Sequence, residues 1–107
     1  MALPEPLKSR LRLPVVGAPL FIISNPDLVI AQCKAGIVGS FPSLNARPIE
    51  ELERWLQRIT AELEAFDKVN SGAPSAPYAV NLIVHRSNER LQQDLELCVK
   101  YEAPIVI

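Results

Sequence analysis

Four short apolar runs are spaced along the chain. They are Leu13–Ala18, Ile37–Phe41, Tyr78–Val84 and Pro104–Ile107, and the first three are bounded by proline, glycine or polar residues. Runs of this length that are hydrophobic almost throughout are typical of strands buried on both faces of a parallel sheet. The pattern therefore predicts four strands, with Asn81 as the polar residue inside the third.

Amphipathic stretches separate these runs. Asn25 can cap a helix that has Pro26 at its first position, extends to about Lys34 and closes at Gly36. A longer helix is predicted from Pro48 onward, because apolar residues recur there at three- and four-residue intervals. These residues are Ile49, Leu52, Trp55, Leu56, Ile59, Leu63 and Phe66.

A third helix is predicted after the third strand. The segment 70–77 is rich in glycine, serine, alanine and proline and is interpreted as the loop before that strand. Ser87 or Asn88 can cap the helix that follows it. The apolar stripe of this helix consists of Leu91, Leu95, Cys98 and Val99. Strands and helices thus alternate, which indicates a parallel sheet covered by helices.

Two architectures fit this order, a doubly wound open sheet and a (β/α)8 barrel. The printed sequence stops within the apolar run Ile105–Ile107, with no covering segment after it. A barrel takes about 250 residues, so four strands in this length correspond to about half of one. We therefore expect an α/β fold of the parallel (β/α)8 TIM-barrel type. Residues 1–107 would be the amino-terminal half of a single barrel domain, with three βα units and the start of strand four.

Composition narrows the class of protein. The 11 basic and 12 acidic side chains form no block of like charge, which argues against a nucleic-acid partner. Polar residues interrupt the most hydrophobic region, and the start lacks the apolar core of a secretory signal, so neither a membrane span nor export is expected. Cys33 and Cys98 lie in apolar helical patterns and are interpreted as buried thiols of a reducing, cytoplasmic protein. One histidine and two scattered thiols predict no metal site.

Ligands of parallel α/β proteins lie beyond the carboxyl ends of the strands. After the first strand, the small residues at Gly17 and Ala18, with Pro19 and Leu20, let the backbone approach a flat aromatic ligand, or simply form a tight turn. Asn81 is a carboxamide in an apolar strand, so it needs a partner: the polar edge of a heterocycle, a backbone group or a water.

Other polar side chains near the strand ends give weaker signals. His85 follows the third strand, where a solvated histidine is the common case, and no partner for acid–base catalysis is evident. Ser40 and Ser43 are interpreted as turn or capping hydroxyls because no nucleophile elbow surrounds them. The glycine patterns of a dinucleotide fold and of a phosphate-binding loop do not occur in the sequence.

Three segments in combination resemble the opening of the nitronate monooxygenases, formerly called 2-nitropropane dioxygenases. They are residues 14–20, PVVGAPL; residues 28–39, which lead from LVIA to AGIVG; and residues 79–82, AVNL. The resemblance spans about Leu13 to Ile107. It implies a barrel that binds FMN noncovalently and oxidises alkyl nitronates with molecular oxygen to carbonyl compounds and nitrite.

The resemblance also implies roles for particular residues. The loop matching Ala18, Pro19 and Leu20 contacts the flavin through its backbone, and the asparagine matching Asn81 hydrogen-bonds the cofactor. Members commonly have methionine in place of Leu20. The family's catalytic histidine lies in a later glycine-rich segment that His85 does not match, so we assign no catalytic residue and expect these residues alone to be inactive.

Two other functions are compatible with the sequence. A related flavin barrel could reduce enoyl thioesters with a nicotinamide cofactor instead of using oxygen. Alternatively, the chain could be a non-enzymatic α/β module whose open sheet edges recruit a partner chain.

Overall fold

The computed structural model describes residues 3–5 and 7–107. Its α-helices are α1 (Leu7–Arg10), α2 (Pro26–Ala35), α3 (Ile49–Val69) and α4 (Leu91–Lys100). Its strands are β1 (Gly39–Pro42), β2 (Tyr78–Asn81) and β3 (Ile105–Val106), and a 3-10 turn, Ser43–Asn45, follows β1. The predicted helices and the last three predicted strands are thus present, although each strand is shorter than its apolar run.

The start and end of α2 follow the predicted capping residues. The Asn25 side chain accepts a hydrogen bond from the backbone N–H of Leu28 at 3.2 Å, and Pro26 occupies the first turn. Gly36 ends the helix with φ of 96°, a left-handed conformation that favours glycine. Gly39 then lets β1 pass close to α2, since a Cβ there would lie 2.5 Å from the carbonyl oxygen of Val29.

The three strands form one parallel sheet in the order β1-β2-β3. Ser40 pairs with Ala79 and Pro42 with Asn81, while Ala79 also pairs with Ile105. Consecutive strands are therefore neighbours, and the connecting helices α3 and α4 contact each other, as expected for right-handed crossovers that lie on one face of the sheet. β2 is the central strand, and its carboxyl end is Asn81.

The buried apolar side chains form one cluster between that sheet face and the helices. Helices α2, α3 and α4 contribute Val29, Ile30, Cys33, Leu52, Leu56, Ile59, Leu63 and Cys98, and the sheet contributes Phe41, Tyr78 and Val80. The rings of Phe41 and Trp55 meet edge to face with their centroids 5.5 Å apart. The core thus fixes the helices against the strands whose ends carry the candidate site.

The opposite surface of α3 is charged. Ion pairs link Arg54 to Glu51 and Arg58 to Glu62, one turn apart along the helix.

Across residues 3–5 and 7–107, no helix combines the length and the apolar character needed to cross a membrane.

The prediction of a TIM-barrel type of fold is wrong. The described residues form a three-stranded, all-parallel, open sheet that does not close into a barrel. The error has a physical origin, because open and closed parallel sheets share the alternating order and the continuous hydrophobic strands on which the prediction relied. The sheet is open, and α2, α3 and α4 pack into a single core with it; a doubly wound arrangement, with helices on both faces, is not what the described residues form.

The prediction that Leu13–Ala18 form a buried strand is also wrong. Within residues 13–18, the only sheet contact described is an isolated parallel bridge between Val16 and Val38, with Gly17 donating to the Val38 carbonyl oxygen at 2.7 Å. The side chains of Val15 and Val16 are exposed, at 44% and 55%. Pro14 lacks the N–H that would extend the ladder, and the segment lies at the sheet edge, where it has one neighbour.

The start of α4 differs in detail from the prediction. The helix begins at Leu91, and its preceding residue, Arg90, makes no side-chain capping bond. Neither Ser87 nor Asn88 is the cap residue. The Asn88 side chain instead accepts a hydrogen bond from the Arg90 backbone N–H at 3.0 Å, which holds the turn that leads into the helix.

The two cysteines are buried and free, as predicted. Burial is the main cause that raises the pKa of the Cys33 thiol, and likewise of the Cys98 thiol, from 9.0 to about 11. A hydrogen bond from the Gly39 backbone opposes the shift at Cys33. Because the thiolate is the nucleophile, both residues are inert at neutral pH.

These thiols predict a loss of stability in alkali. The folded pKa of about 11 exceeds the unfolded value of 9.0, so the contribution of the protonated thiols is complete below pH 9.0 and is lost as the pH rises towards 11. We expect a thiol reagent at neutral pH to label both cysteines slowly in the native protein and rapidly in urea. Fast native labelling of either thiol would contradict the burial described here.

Candidate functional site

The carboxyl ends of the parallel strands lie at one edge of the sheet. Pro42 and Asn81 end β1 and β2 in register, and β3 ends beside them at Val106. Counting on from the bridge between Val16 and Val38, residue 18 comes level with Ser40, so the loop that contains residues 18–20 leaves at the same end. The edge therefore gathers the segments that the sequence singled out.

Side-chain hydrogen bonds hold the loop that follows Gly17. The Ser40 hydroxyl donates to the Gly17 carbonyl oxygen from within β1. Ser24, which is fully buried, accepts from the Leu20 backbone N–H at 2.8 Å and donates to the Ala18 carbonyl oxygen at 3.3 Å. Hydroxyl groups thus fix the base of this loop. Ser40 was predicted to be a turn or capping hydroxyl, and its observed role in holding the loop is more specific.

Asn45 holds the far side of the same loop. Its amide nitrogen donates to the carbonyl oxygens of Leu20 and Ser24 at 3.0 and 2.9 Å, and its carbonyl oxygen accepts from the Ile22 backbone N–H at 3.1 Å. Ile22 has φ of 66°, an unfavourable conformation for a β-branched residue. One carboxamide on the turn after β1 therefore stabilises a loop more than 20 residues earlier in the chain.

Asn81 ends the central strand with a half-buried side chain. In the part of the chain that the structure describes, its carboxamide makes no hydrogen bond, and no hydrogen bond connects it to residues 18–20. A carboxamide offers two donor hydrogens and an accepting oxygen. These groups are available to a ligand or to water at the carboxyl edge.

The segment 18–20 is partly open to solvent. Ala18 is exposed, Pro19 is half-buried, and Leu20 is 46% exposed. The backbone N–H of Ala18 has no hydrogen-bond partner among the described residues, although its carbonyl oxygen is held by Ser24. The segment thus presents a free donor in a backbone that Ser24 and Asn45 immobilise.

A buried charge cluster connects the loops after β1 and β2. Asp94, fully buried on α4, accepts a hydrogen bond from the Ser43 hydroxyl at 2.7 Å and forms an ion pair with Arg90 at 3.0 Å. Arg90 also donates to the carbonyl oxygen of Ala46 at 2.6 Å. Ser43 is therefore a partner of a buried carboxylate and not the turn hydroxyl that the sequence suggested.

His85 is exposed in the loop after β2. Its Nδ1 lies 2.7 Å from the Ser87 hydroxyl oxygen and accepts from the Ser87 backbone N–H at 3.1 Å. This arrangement is a local turn, and no carboxylate of the described residues orients the ring. The structure therefore adds no support for a catalytic role of His85.

A cavity of about 470 Å³ opens between the same two loops. Its walls are mainly apolar, from Leu44, Pro48, Ile49 and Ile83, with Arg47 and Arg90 among its polar residues. Ala18, Pro19, Leu20 and Asn81 do not line it. In the described ranges, no group of three or more histidine, cysteine, aspartate or glutamate side chains could hold a metal ion.

Comparisons with protein-family models, with curated proteins and with solved structures found no match to this chain.

The role of Asn45 predicts the effect of removing its side chain. Asn45→Ala removes three hydrogen bonds and leaves a backbone N–H and two carbonyl oxygens to find water, so we expect a loss of about 1–3 kcal/mol in the free energy of unfolding. Hydrogen exchange at the Ile22 amide should also accelerate. Asn45→Asp is the control, since it retains the acceptor for Ile22; equal exchange rates in the two variants would argue against this role.

The buried carboxylate predicts a larger effect. Asp94→Asn leaves Arg90 without its ionic partner, and breaking a buried pair costs about 3–5 kcal/mol of stability. Urea unfolding measures this change. Asp27→Asn is a matched control at an exposed pair with Arg58, where we expect a much smaller loss because water screens the two charges. Similar losses of stability in both variants would show that the buried pair of Arg90 and Asp94 contributes no more than an exposed pair.

Proposed function

We propose that this chain contributes the flavin-ring contacts of an FMN-dependent nitronate monooxygenase. In this proposal, the backbone of Ala18, Pro19 and Leu20 and the side chain of Asn81 contact the cofactor, as the sequence resemblance implies. The substrates are an alkyl nitronate and molecular oxygen, and the products are a carbonyl compound and nitrite.

The unpaired carboxamide of Asn81 is the observation that carries the proposal. It is half-buried at the carboxyl end of the central strand, where parallel α/β proteins bind their ligands. A polar group in such a position costs free energy unless a partner satisfies it. The edge of a flavin ring carries both donors and acceptors, and a carboxamide can pair with either kind.

The loop 18–24 supports the proposal independently of Asn81. The free N–H of Ala18 can donate to a ring acceptor, and Pro19 adds no competing donor. Because Ser24 and Asn45 already hold the loop, little conformational entropy is lost when a ligand binds to it. The residues present therefore fit one polar edge of a planar ring.

The cofactor, when bound, supplies the electron-transfer chemistry between nitronate and oxygen. The residues of this chain bind and orient the ring, and none of them is assigned as the catalytic base. We accordingly expect flavin binding without turnover by these residues alone. The proposal also assigns the protein to the cytoplasm, since its two free thiols suit a reducing compartment.

The proposal predicts that Asn81→Leu weakens flavin binding. Loss of one or two hydrogen bonds to the ring should raise the Kd for FMN about tenfold, measured by quenching of flavin fluorescence. Because the carboxamide makes no bond within the described residues, the free energy of unfolding should change by less than about 0.5 kcal/mol. Lumiflavin lacks the ribityl phosphate. If Asn81 contacts the ring, the Kd for lumiflavin should rise by the same factor in Asn81→Leu as the Kd for FMN.

Gln92→Leu is a suitable control for that experiment. Gln92 is an exposed carboxamide on α4 that donates a hydrogen bond to Glu96. This variant should bind FMN as the unmodified chain does. A chain that binds neither FMN nor lumiflavin would overturn the proposal and favour the non-enzymatic α/β module.

A further inference from the structure

A cavity of about 340 Å³ lies between the loop before α2 and the turn after β1. Phe21 and Ile22 line it from the loop, Leu44 and Arg47 from the turn, and Trp55 from α3. Small-molecule pockets usually combine mainly apolar walls with a few polar groups, and this volume is at the lower end of their range. The cavity therefore suits a small ligand with an apolar body.

The walls of this cavity are held in place by contacts within the chain. Asn45, which also lines the cavity, has its carboxamide bonded to the backbone of the loop. The guanidinium group of Arg47 lies over the Phe21 ring, 5.9 Å from its centroid, and its Nε donates to the Leu44 carbonyl oxygen at 2.8 Å. The Trp55 ring packs against Phe41 in the core. Because these side chains are already positioned, a ligand loses little binding energy in ordering them.

Two side chains on the wall carry N–H groups that are free to donate. Neither the indole N–H of Trp55 nor the side-chain nitrogen of Asn25 makes a hydrogen bond within residues 3–5 and 7–107; the Asn25 oxygen caps α2. Both nitrogen atoms are open to solvent, because the buried side-chain atoms without a partner belong to Gln32, Thr60 and Tyr78. These donors are therefore within reach of water or of a ligand that accepts hydrogen bonds.

Arg47 supplies the charge of this cavity. It is the one charged residue among those that line the cavity, and its two terminal nitrogen atoms make no hydrogen bond or ion pair in the described part of the chain. Arg47 also lines the larger cavity, where Glu89 is the acidic residue, but no ion pair joins these two. A guanidinium group with both terminal nitrogen atoms free matches the two oxygens of a carboxylate.

We propose that this cavity binds a small carboxylate with an apolar body, of which benzoate is the simplest aromatic example. The carboxylate accepts hydrogen bonds from the guanidinium group of Arg47 and from the indole N–H of Trp55. A carboxylate only accepts hydrogen bonds, so it matches a wall whose free polar groups are donors. The apolar body packs on Phe21 and Leu44. The residues of the proposed flavin contacts do not line this cavity, so the two proposals are independent.

The fluorescence of Trp55 tests the proposal directly, because the chain contains a single tryptophan. Benzoate, benzyl alcohol and benzylamine are the probes, each titrated into the 107-residue chain. We expect benzoate to give a saturable change and to move the indole N–H proton resonance downfield. Benzyl alcohol should bind at least about fivefold more weakly and benzylamine more weakly still, since neither offers a carboxylate to the guanidinium group. Added salt should weaken benzoate, because Arg47 is exposed.

Arginine variants separate a direct contact from an effect of net charge. Arg47→Gln should raise the Kd for benzoate about tenfold, because charge-assisted hydrogen bonds are lost. Arg47→Lys should give an intermediate Kd, since it keeps the charge and loses the planar fork, and it is the second variant if Arg47→Gln disturbs the fold. Arg86→Gln is the matched control: Arg86 is exposed and makes no ion pair in the described ranges, so its removal should leave the Kd unchanged.

Three results would overturn the proposal. The first is the same affinity for benzoate and benzyl alcohol, which would show that the carboxylate is not recognised. The second is an equal loss of affinity in Arg47→Gln and Arg86→Gln, which would reduce the effect to net charge. The third is the absence of a saturable change in both the Trp55 fluorescence and the indole N–H resonance.

Discussion

The carboxyl end of this fold depends on how the charge of Asp94 is compensated. A carboxylate removed from water must be paired and hydrogen-bonded, and here the partners come from two different loops. Ser43 belongs to the turn after β1, and Arg90 to the loop after β2. The same guanidinium group holds the carbonyl oxygen of Ala46, which fixes the path towards α3. One buried charge thus ties together the two loops and the helix that frame the strand ends.

The central strand has an unsatisfied polar group at each end. Among residues 3–5 and 7–107, the buried hydroxyl of Tyr78 at the start of β2 has no hydrogen-bond partner, and neither has the side chain of Asn81 at its end. Three residue steps in an extended strand separate their backbones by about 10 Å. Between them, Ala79 and Val80 are fully buried and paired on both sides. The fully paired part of the strand therefore separates these two polar groups.

Most of the local structure could be predicted from the sequence, because it depends on short-range chemistry. The Asn25 cap, the left-handed Gly36 and the apolar stripe of α3 each act within a turn or two of the chain. Sheet closure is a global property that this pattern does not encode, and the barrel prediction was wrong for that reason. The run Leu13–Ala18 was wrong because apolar composition does not reveal that a segment lies at an edge and has one neighbour.

The candidate site was predictable only in part. Asn81 and residues 18–20 could be selected because they follow apolar runs, and their functional roles stay predictions. The contacts of Asn45 with the loop 20–24 and the contact between Ser43 and Asp94 could not be selected, since they join residues that are 21 to 51 positions apart in the sequence. A single polar residue on the inner face of a helix, such as Asp94 on α4, was the one signal available, and it is recognisable only once the helix orientation is known.

The way in which Asn45 supports the loop 20–24 has an implication for how this surface could vary. Its hydrogen bonds all go to backbone atoms, so the shape of the loop does not depend on the side chains at its tip. Those side chains, Phe21, Ile22 and Ile23, are 63%, 74% and 61% exposed. Substitutions at the tip can therefore change the chemistry of this surface while the hydrogen bonds from Asn45 to the backbone stay the same.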